Sequence, residues 1–197
     1  MSWRQRIRLP GLTYHVMSRC IEKKPLMKHK YLKDLMLSVL NQALEKYVFE
    51  LSAFTIMDNH FHFLIRTVAG GEDISRIMQF IKSQYARKYN KIMNRTGPFW
   101  NERFSDRIIE YAEDPILAFN NVIQYMAENP VRSGYVKDSR EYKYSSYRCY
   151  IEENYQPPVK ITLHPFFLGL GSNFKECAQA ILDFEESYKM IILPEVG

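Results

Sequence analysis

The chain has 197 residues, of which 46% are hydrophobic, and carries a net charge of +5 with a pI near 9.0. That supports a folded core in one domain of ordinary size, or one domain with an appendage. The chain holds no apolar run of the roughly 18 residues a helical membrane span needs, so no membrane partner is expected. Cys20, Cys149 and Cys177 are odd in number and lack CxxC spacing, which argues against a disulfide framework.

The start, "MSWRQRIRLPGL", lacks the apolar stretch of a signal peptide, and a reducing cytoplasm is the expected location. Charge placement says more than its sum. Residues 1–33 carry nine Lys/Arg and one acid, Glu22, whereas the segment from Ser172 onward has two Lys and five acids. This suits a polyanion held on one region, or simply a solvated basic surface.

In chain order, residues 13–20 ("TYHVMSRC") read as a strand. Leu32, Leu35, Met36, Val39, Leu40 and Ala43 give residues 30–47 a helical period. "YVFELSAFTIM" (47–57) reads as a strand, Asp58-Asn59 as a turn, and "HFHFLIR" as the partner strand of a hairpin. Ile74, Ile77, Met78, Ile81, Tyr85, Tyr89 and Ile92 form one helical stripe. "TGPFW" ends that helix, and "FWNERFSDRIIE" reads as a further strand.

The order is β-α-β-β-α-β, which predicts an α+β, ferredoxin-like (RRM-like) sheet with its helices on one face. A further helix starts at Asp114-Pro115 and is expected to stop near Asn129, ahead of Pro130. Pro157-Pro158 marks the expected boundary between a domain of residues 1–156 and an extension of residues 157–197. That extension has a helix from Asn173 to about Met190.

In "MDNHFHFLIR" strand alternation puts His60, His62, Leu64 and Arg66 on one face and Phe61, Phe63 and Ile65 on the other. The apolar set packs onto the two helices, and the histidines look out from the uncovered face. Imidazoles spaced by two sit about 6–7 Å apart along a strand and can converge on one ion. Two histidines with no joint role are the plain alternative. A catalytic metal needs a third ligand and open positions.

The helix after Asp114 offers one. Ile116, Phe119, Ile123 and Met126 form its core stripe, Tyr125 points the other way, and Asn129 lies one turn beyond it. These are either a surface tyrosine with a C-terminal asparagine, or a nucleophile with a third metal ligand. Tyr85 and Tyr89 compete for the nucleophile's role, but both fall on an apolar stripe and read as core.

"YHVMSRC" (14–20), "MDNHFHFLI" (57–65), "GPFWNERF" (97–104), "YMAENPVRSGYV" (125–136) and "YKYSSYRCY" (142–150) together resemble the single-tyrosine HUH transposases. The likeness is to the REP-associated and insertion-sequence-like tyrosine transposases, and it covers about residues 8–150. It implies His60 and His62 as metal ligands, Tyr125 as nucleophile and Asn129 as the amide that completes the metal site.

The resemblance further implies a divalent ion, Mg²⁺ or Mn²⁺, and single-stranded or hairpin DNA as partner. It implies a homodimer, and transposition through a 5′-phosphotyrosine intermediate. Arg4, Arg6, Arg8, Arg19, Arg87, Arg103 and Arg132 are candidate DNA contacts. Two positions depart from the family's pattern. Asp58 stands where proline is frequent, a change expected to alter only the turn. Ala127 stands where histidine is frequent, a change expected to weaken DNA contacts or activity. A non-catalytic nucleic-acid binder on the same fold and a zinc hydrolase are the rival readings.

Overall fold

The computed structural model describes residues 9–192. Strands β1 (Thr13–Arg19), β2 (Glu50–Ile56), β3 (His60–Arg66) and β4 (Ser105–Ile108) form one antiparallel sheet in the order β2-β3-β1-β4. Helices α1 (Lys30–Lys46) and α2 (Ile74–Ile92) join the strands, and α3 (Pro115–Arg132), α4 (Pro165–Leu168) and α5 (Phe174–Ile192) follow. The expected strand across 99–110 shrinks to the four residues of β4. Its first part, around Trp100, makes only an isolated bridge to Cys20.

One face of the sheet is built by alternation. Tyr14 and Val16 of β1 register with Ile65 and Phe63 of β3, and Phe54 and Ile56 of β2 with Phe63 and Phe61. These side chains pack with Leu32, Met36, Ile77 and Tyr85 of α1 and α2. Tyr85 and Tyr89 are buried, as their stripe predicts, and the Tyr85 hydroxyl donates to the Leu32 carbonyl at 3.1 Å.

The other face differs from expectation. Uncovered in the sequence reading, it is largely roofed by α3 and the C-terminal segment. A bulge in β2 between Leu51 and Ala53 is one reason. The extra residue turns Phe54 toward the α1/α2 core and sets Ala53 beside Leu64 on the opposite face. Ala53 and Leu64 then bury against Phe119, Val122, Ile123 and Met126 of α3. The segment after Pro158 joins this second core through Phe167, Cys177 and Ile181. What stays open is a cleft at the β1/β4 side.

Helix α3 starts as the sequence predicts, with Pro115 in its first turn and Asp114 accepting from the Leu117 amide at 2.9 Å. It does not stop at Asn129 but runs through Pro130 to Arg132. Pro130 has no N–H for the carbonyl four residues back, that of Met126. The Thr55 hydroxyl of β2 donates to that carbonyl at 3.0 Å and so replaces the hydrogen bond that the proline cannot give.

The stop is Gly134, at φ +72°, in a left-handed cap. Gly134 N donates to Val131 O and Tyr135 N to Pro130 O. Ile116 is also misplaced by the sequence reading. It is 48% exposed, because burial on α3 begins only at Phe119. Thr55→Val, which leaves the buried Met126 carbonyl unpaired, should destabilise the protein by about 1–3 kcal/mol in urea unfolding. Thr55→Ser should recover most of that loss.

Asp58 does more than shape a turn. Its carboxylate takes a hydrogen bond from Lys33 Nζ at 2.6 Å, with both side chains buried, and its carbonyl accepts from the Met27 amide. The pair ties α1 to the hairpin that carries His60 and His62. Lys33→Met would leave a buried carboxylate without its counter-charge and with only the Tyr135 hydroxyl as side-chain partner, and a loss of about 3–5 kcal/mol is expected in thermal melts. Adding Asp58→Asn should return part of it.

Candidate active site

Register, more than spacing, assembles the site. β1 runs antiparallel to β3 so that Arg19 lies opposite His60, Met17 opposite His62 and His15 opposite Leu64. Alternation keeps all of these on the second face. Helix α3 crosses above them and brings Tyr125 and Asn129 down, one turn apart.

The rings of His60 and His62 lie 5.0 Å apart, and the Tyr125 ring stands edge-on to His62 at 5.2 Å. Asn129 Nδ2 is 3.3 Å from His62 Nε2. The candidates His60, His62, Tyr125 and Asn129 thus share one place. Tyr125 is 36% exposed there and opens onto a cleft of about 620 Å³. The cleft is also lined by His15, Arg107, Asn121 and Tyr188.

The donor set fits a cation. Burial foremost, then the positive charge of Arg19, holds the His60 imidazole down near pKa 4, while Asn129 opposes this. Burial, His15, His60 and Arg19 hold His62 well below the ordinary range. Both rings are therefore neutral at pH 7, the form that ligates. Asn59 Oδ1 lies 2.6 Å from His60 Nδ1, and His15 Nε2 lies 3.0 Å from His62 Nδ1. With each Nδ1 engaged, each Nε2 is left for a ligand. Turning the Asn129 amide presents oxygen in place of nitrogen. Among the described residues no three His, Cys, Asp or Glu side chains converge on a metal position.

These histidines also couple stability to pH. His15, held near 4 by burial and then Arg107, and His164, held near 4 by burial and then Arg66, join the pair on β3. Unfolded histidine takes a proton near pH 6.5, whereas the folded chain waits until about pH 4. The unfolded state then holds more protons, so stability is full above pH 6.5 and falls as pH drops toward 4. The slope reaches about 1.4 kcal/mol per pH unit for each fully buried ring. A urea midpoint that declines between pH 6.5 and 5, ahead of the carboxylates, is the expected result. A flat midpoint over that range would contradict it.

Of the candidate arginines, Arg19 is on the site's face, and its buried Nε has no hydrogen-bond partner among the described residues. Arg132 is exposed one further turn along α3 from Asn129. Arg87 is exposed on α2, across the sheet from Tyr125, and Arg103 lines a separate groove with Lys82 and Trp100. Arg4, Arg6 and Arg8 lie outside the described residues.

Ala127 is 1% exposed and packed among Ile123, Tyr147 and Tyr150, so it has no surface to offer DNA. His15, Arg107 and Tyr188 are site residues the sequence reading missed. For His15 a signal existed, since it alternates with Tyr14 and Val16 as His60 and His62 alternate with Phe61 and Phe63.

The antiparallel sheet thus bears a His-x-His strand faced by a helical tyrosine and amide. The chain belongs to the IS200-like transposase family, because residues 9–118 match the family model described as "Transposase IS200 like". A Haemophilus influenzae protein assigned as a REP-associated tyrosine transposase is 27% identical over 129 residues, 61% of this chain and 71% of that protein. The solved structure of a REP-associated tyrosine transposase bound to a REP hairpin superposes with a TM-score of 0.64. It is 20% identical and covers 82% of this chain and 92% of that one, a likeness of fold. The family match stops at residue 118. Tyr125 and Asn129 lie beyond it and stand on geometry.

Proposed function

We propose that the chain is a DNA strand transferase that cuts and rejoins single-stranded DNA through Tyr125. One observation carries the reading: a tyrosine open to a cleft, with its ring 5.2 Å from a buried, neutral His62 that Asn129 approaches at 3.3 Å. His60, His62 and Asn129 would hold a divalent ion, and the mixed imidazole and amide set suits Mn²⁺ better than Mg²⁺. When bound, that ion supplies polarisation of the phosphate and stabilisation of its developing charge.

Tyr125 Oη gives up its proton and attacks phosphorus, the O–P bond forms as the bond to the 3′-oxygen breaks, and the departing 3′-oxygen takes up a proton in return. The products are a 5′-phosphotyrosine and a free 3′-OH. The ester keeps the energy of the phosphodiester, so reversal with another 3′-OH rejoins a strand without a nucleotide cofactor. Arg19, beside His60, and Arg132, along α3, would position the DNA backbone.

The strand order, read from the other edge, is β4-β1-β3-β2, and we take it as ferredoxin-like. Residues 1–156 carry the proposed chemical groups, residues 157–197 add Tyr188 to the cleft, and the chain works in the cytoplasm as a homodimer on single-stranded or hairpin DNA. The hairpin carried by the related solved structure supports this choice of partner.

The test is incubation with labelled single-stranded DNA from the ends flanking the gene, with Mn²⁺, followed by denaturing electrophoresis. An adduct carrying the 3′-end label, together with a released 5′-labelled fragment, is expected. Tight binding with neither product would favour the non-catalytic nucleic-acid-binding reading on the same fold.

A further inference from the structure

His15 is the imidazole that the proposed chemistry does not use. It sits on β1, diagonally across from His62, since its own register partner is Leu64. Its ring stacks on His62 at 5.1 Å with a 26° tilt, and its Nε2 is 3.0 Å from His62 Nδ1. Two nitrogens at that distance share one proton, so one ring donates and the other accepts.

The second nitrogen of His62 decides which. Its Nε2 lies 3.3 Å from the Asn129 amide and is the nitrogen that the proposed site offers to a cation, so Nε2 keeps its lone pair and Nδ1 carries the hydrogen. The bond between the rings then runs from His62 Nδ1–H to His15 Nε2. His60 is held alike, with its Nδ1 2.6 Å from Asn59 Oδ1.

We infer that His15 is a positioning residue, whose Nε2 accepts the Nδ1 proton of His62 and so fixes the tautomer that turns the His62 Nε2 lone pair toward Asn129. This rests on the proposed ligand role of His62, while the contact between the two rings stands on geometry. His15 stands edge-on to the Tyr125 ring at 6.2 Å, on the wall of the cleft. It acts by orienting the His62 ring. Without it, His62 is free to carry its proton on Nε2 and to present no lone pair to the cleft. Groups in this relation to a ligating histidine are typically worth about 10–100-fold in metal affinity.

The experiment compares the wild type with His15→Leu, which fills the space without an acceptor, and His15→Gln, which restores one. Long-range ¹H–¹⁵N NMR of the metal-free, DNA-free protein at pH 7 reads the His62 tautomer, and titration with Mn²⁺ alone reads affinity. The expected result is Nδ1–H in the wild type, a mixed or Nε2–H form in His15→Leu with about 10–100-fold weaker Mn²⁺ binding, and recovery of both in His15→Gln. Circular dichroism melting checks that the variants are folded. Where His15→Leu melts early, the wild-type tautomer and His15→Gln carry the test.

An Nε2–H tautomer in the wild type would overturn the inference. So would a His15→Leu protein with unchanged tautomer and Mn²⁺ affinity. Because the tautomer is read without DNA, a failure of strand cleavage would count against the proposed function and leave this inference standing.

Discussion

Tyr125→Phe should yield no covalent protein–DNA adduct, with strand cleavage down by about 10⁴-fold or more, the scale of removing a catalytic nucleophile. The substitution deletes one oxygen from a side chain that is 36% exposed, so unfolding should move by no more than about 0.5 kcal/mol. Binding of single-stranded DNA should persist, because the backbone contacts proposed for this chain fall to arginines and not to the phenol. Loss of the adduct with binding intact isolates the covalent step. An adduct that survives in the Phe protein would mean another of the 14 tyrosines is the nucleophile. Tyr85 and Tyr89 could not replace it without unfolding the α1/α2 core, where they are 0% and 4% exposed.

His62→Ala should abolish Mn²⁺-stimulated cleavage, a loss on the order of 10³-fold, matching several kcal/mol of charge stabilisation in the transition state. His60→Ala should act in the same direction. His62 is 1% exposed and bridges His15 to Asn129, so its removal also frees Asn129 and the end of α3. His62→Gln, which keeps polar atoms in that space, separates lost ligation from a loosened helix. Wild-type cleavage that runs undiminished in excess chelator would refute the cation's part, whatever the variants do.

Much of the fold was legible because it is written in local periods. The stripes of α1 and α2, the alternation of β1 and β3, and the Asp114-Pro115 start of α3 each reflect neighbours within a few residues. Where the reading failed, a distant residue had intervened. Pro130 does not break α3 because Thr55, 71 positions away from Met126, supplies the missing donor. Asp58 is a structural anchor because Lys33 reaches it from α1. The second face is covered because a bulge at Ser52 resets β2 and makes room for α3 and the C-terminal helix.

The sequence by itself determined that His60 and His62 share a face and that Tyr125 and Asn129 share a side of one helix, since a strand repeats every two residues and a helix every 3.6. It could not bring the two pairs together. That needed the register of β1 on β3, which adds His15 and Arg19, and the docking of α3 on Ala53 and Leu64, which sets the phenol beside the imidazoles. Local geometry fixes the direction of a side chain, but only long-range packing fixes what it meets.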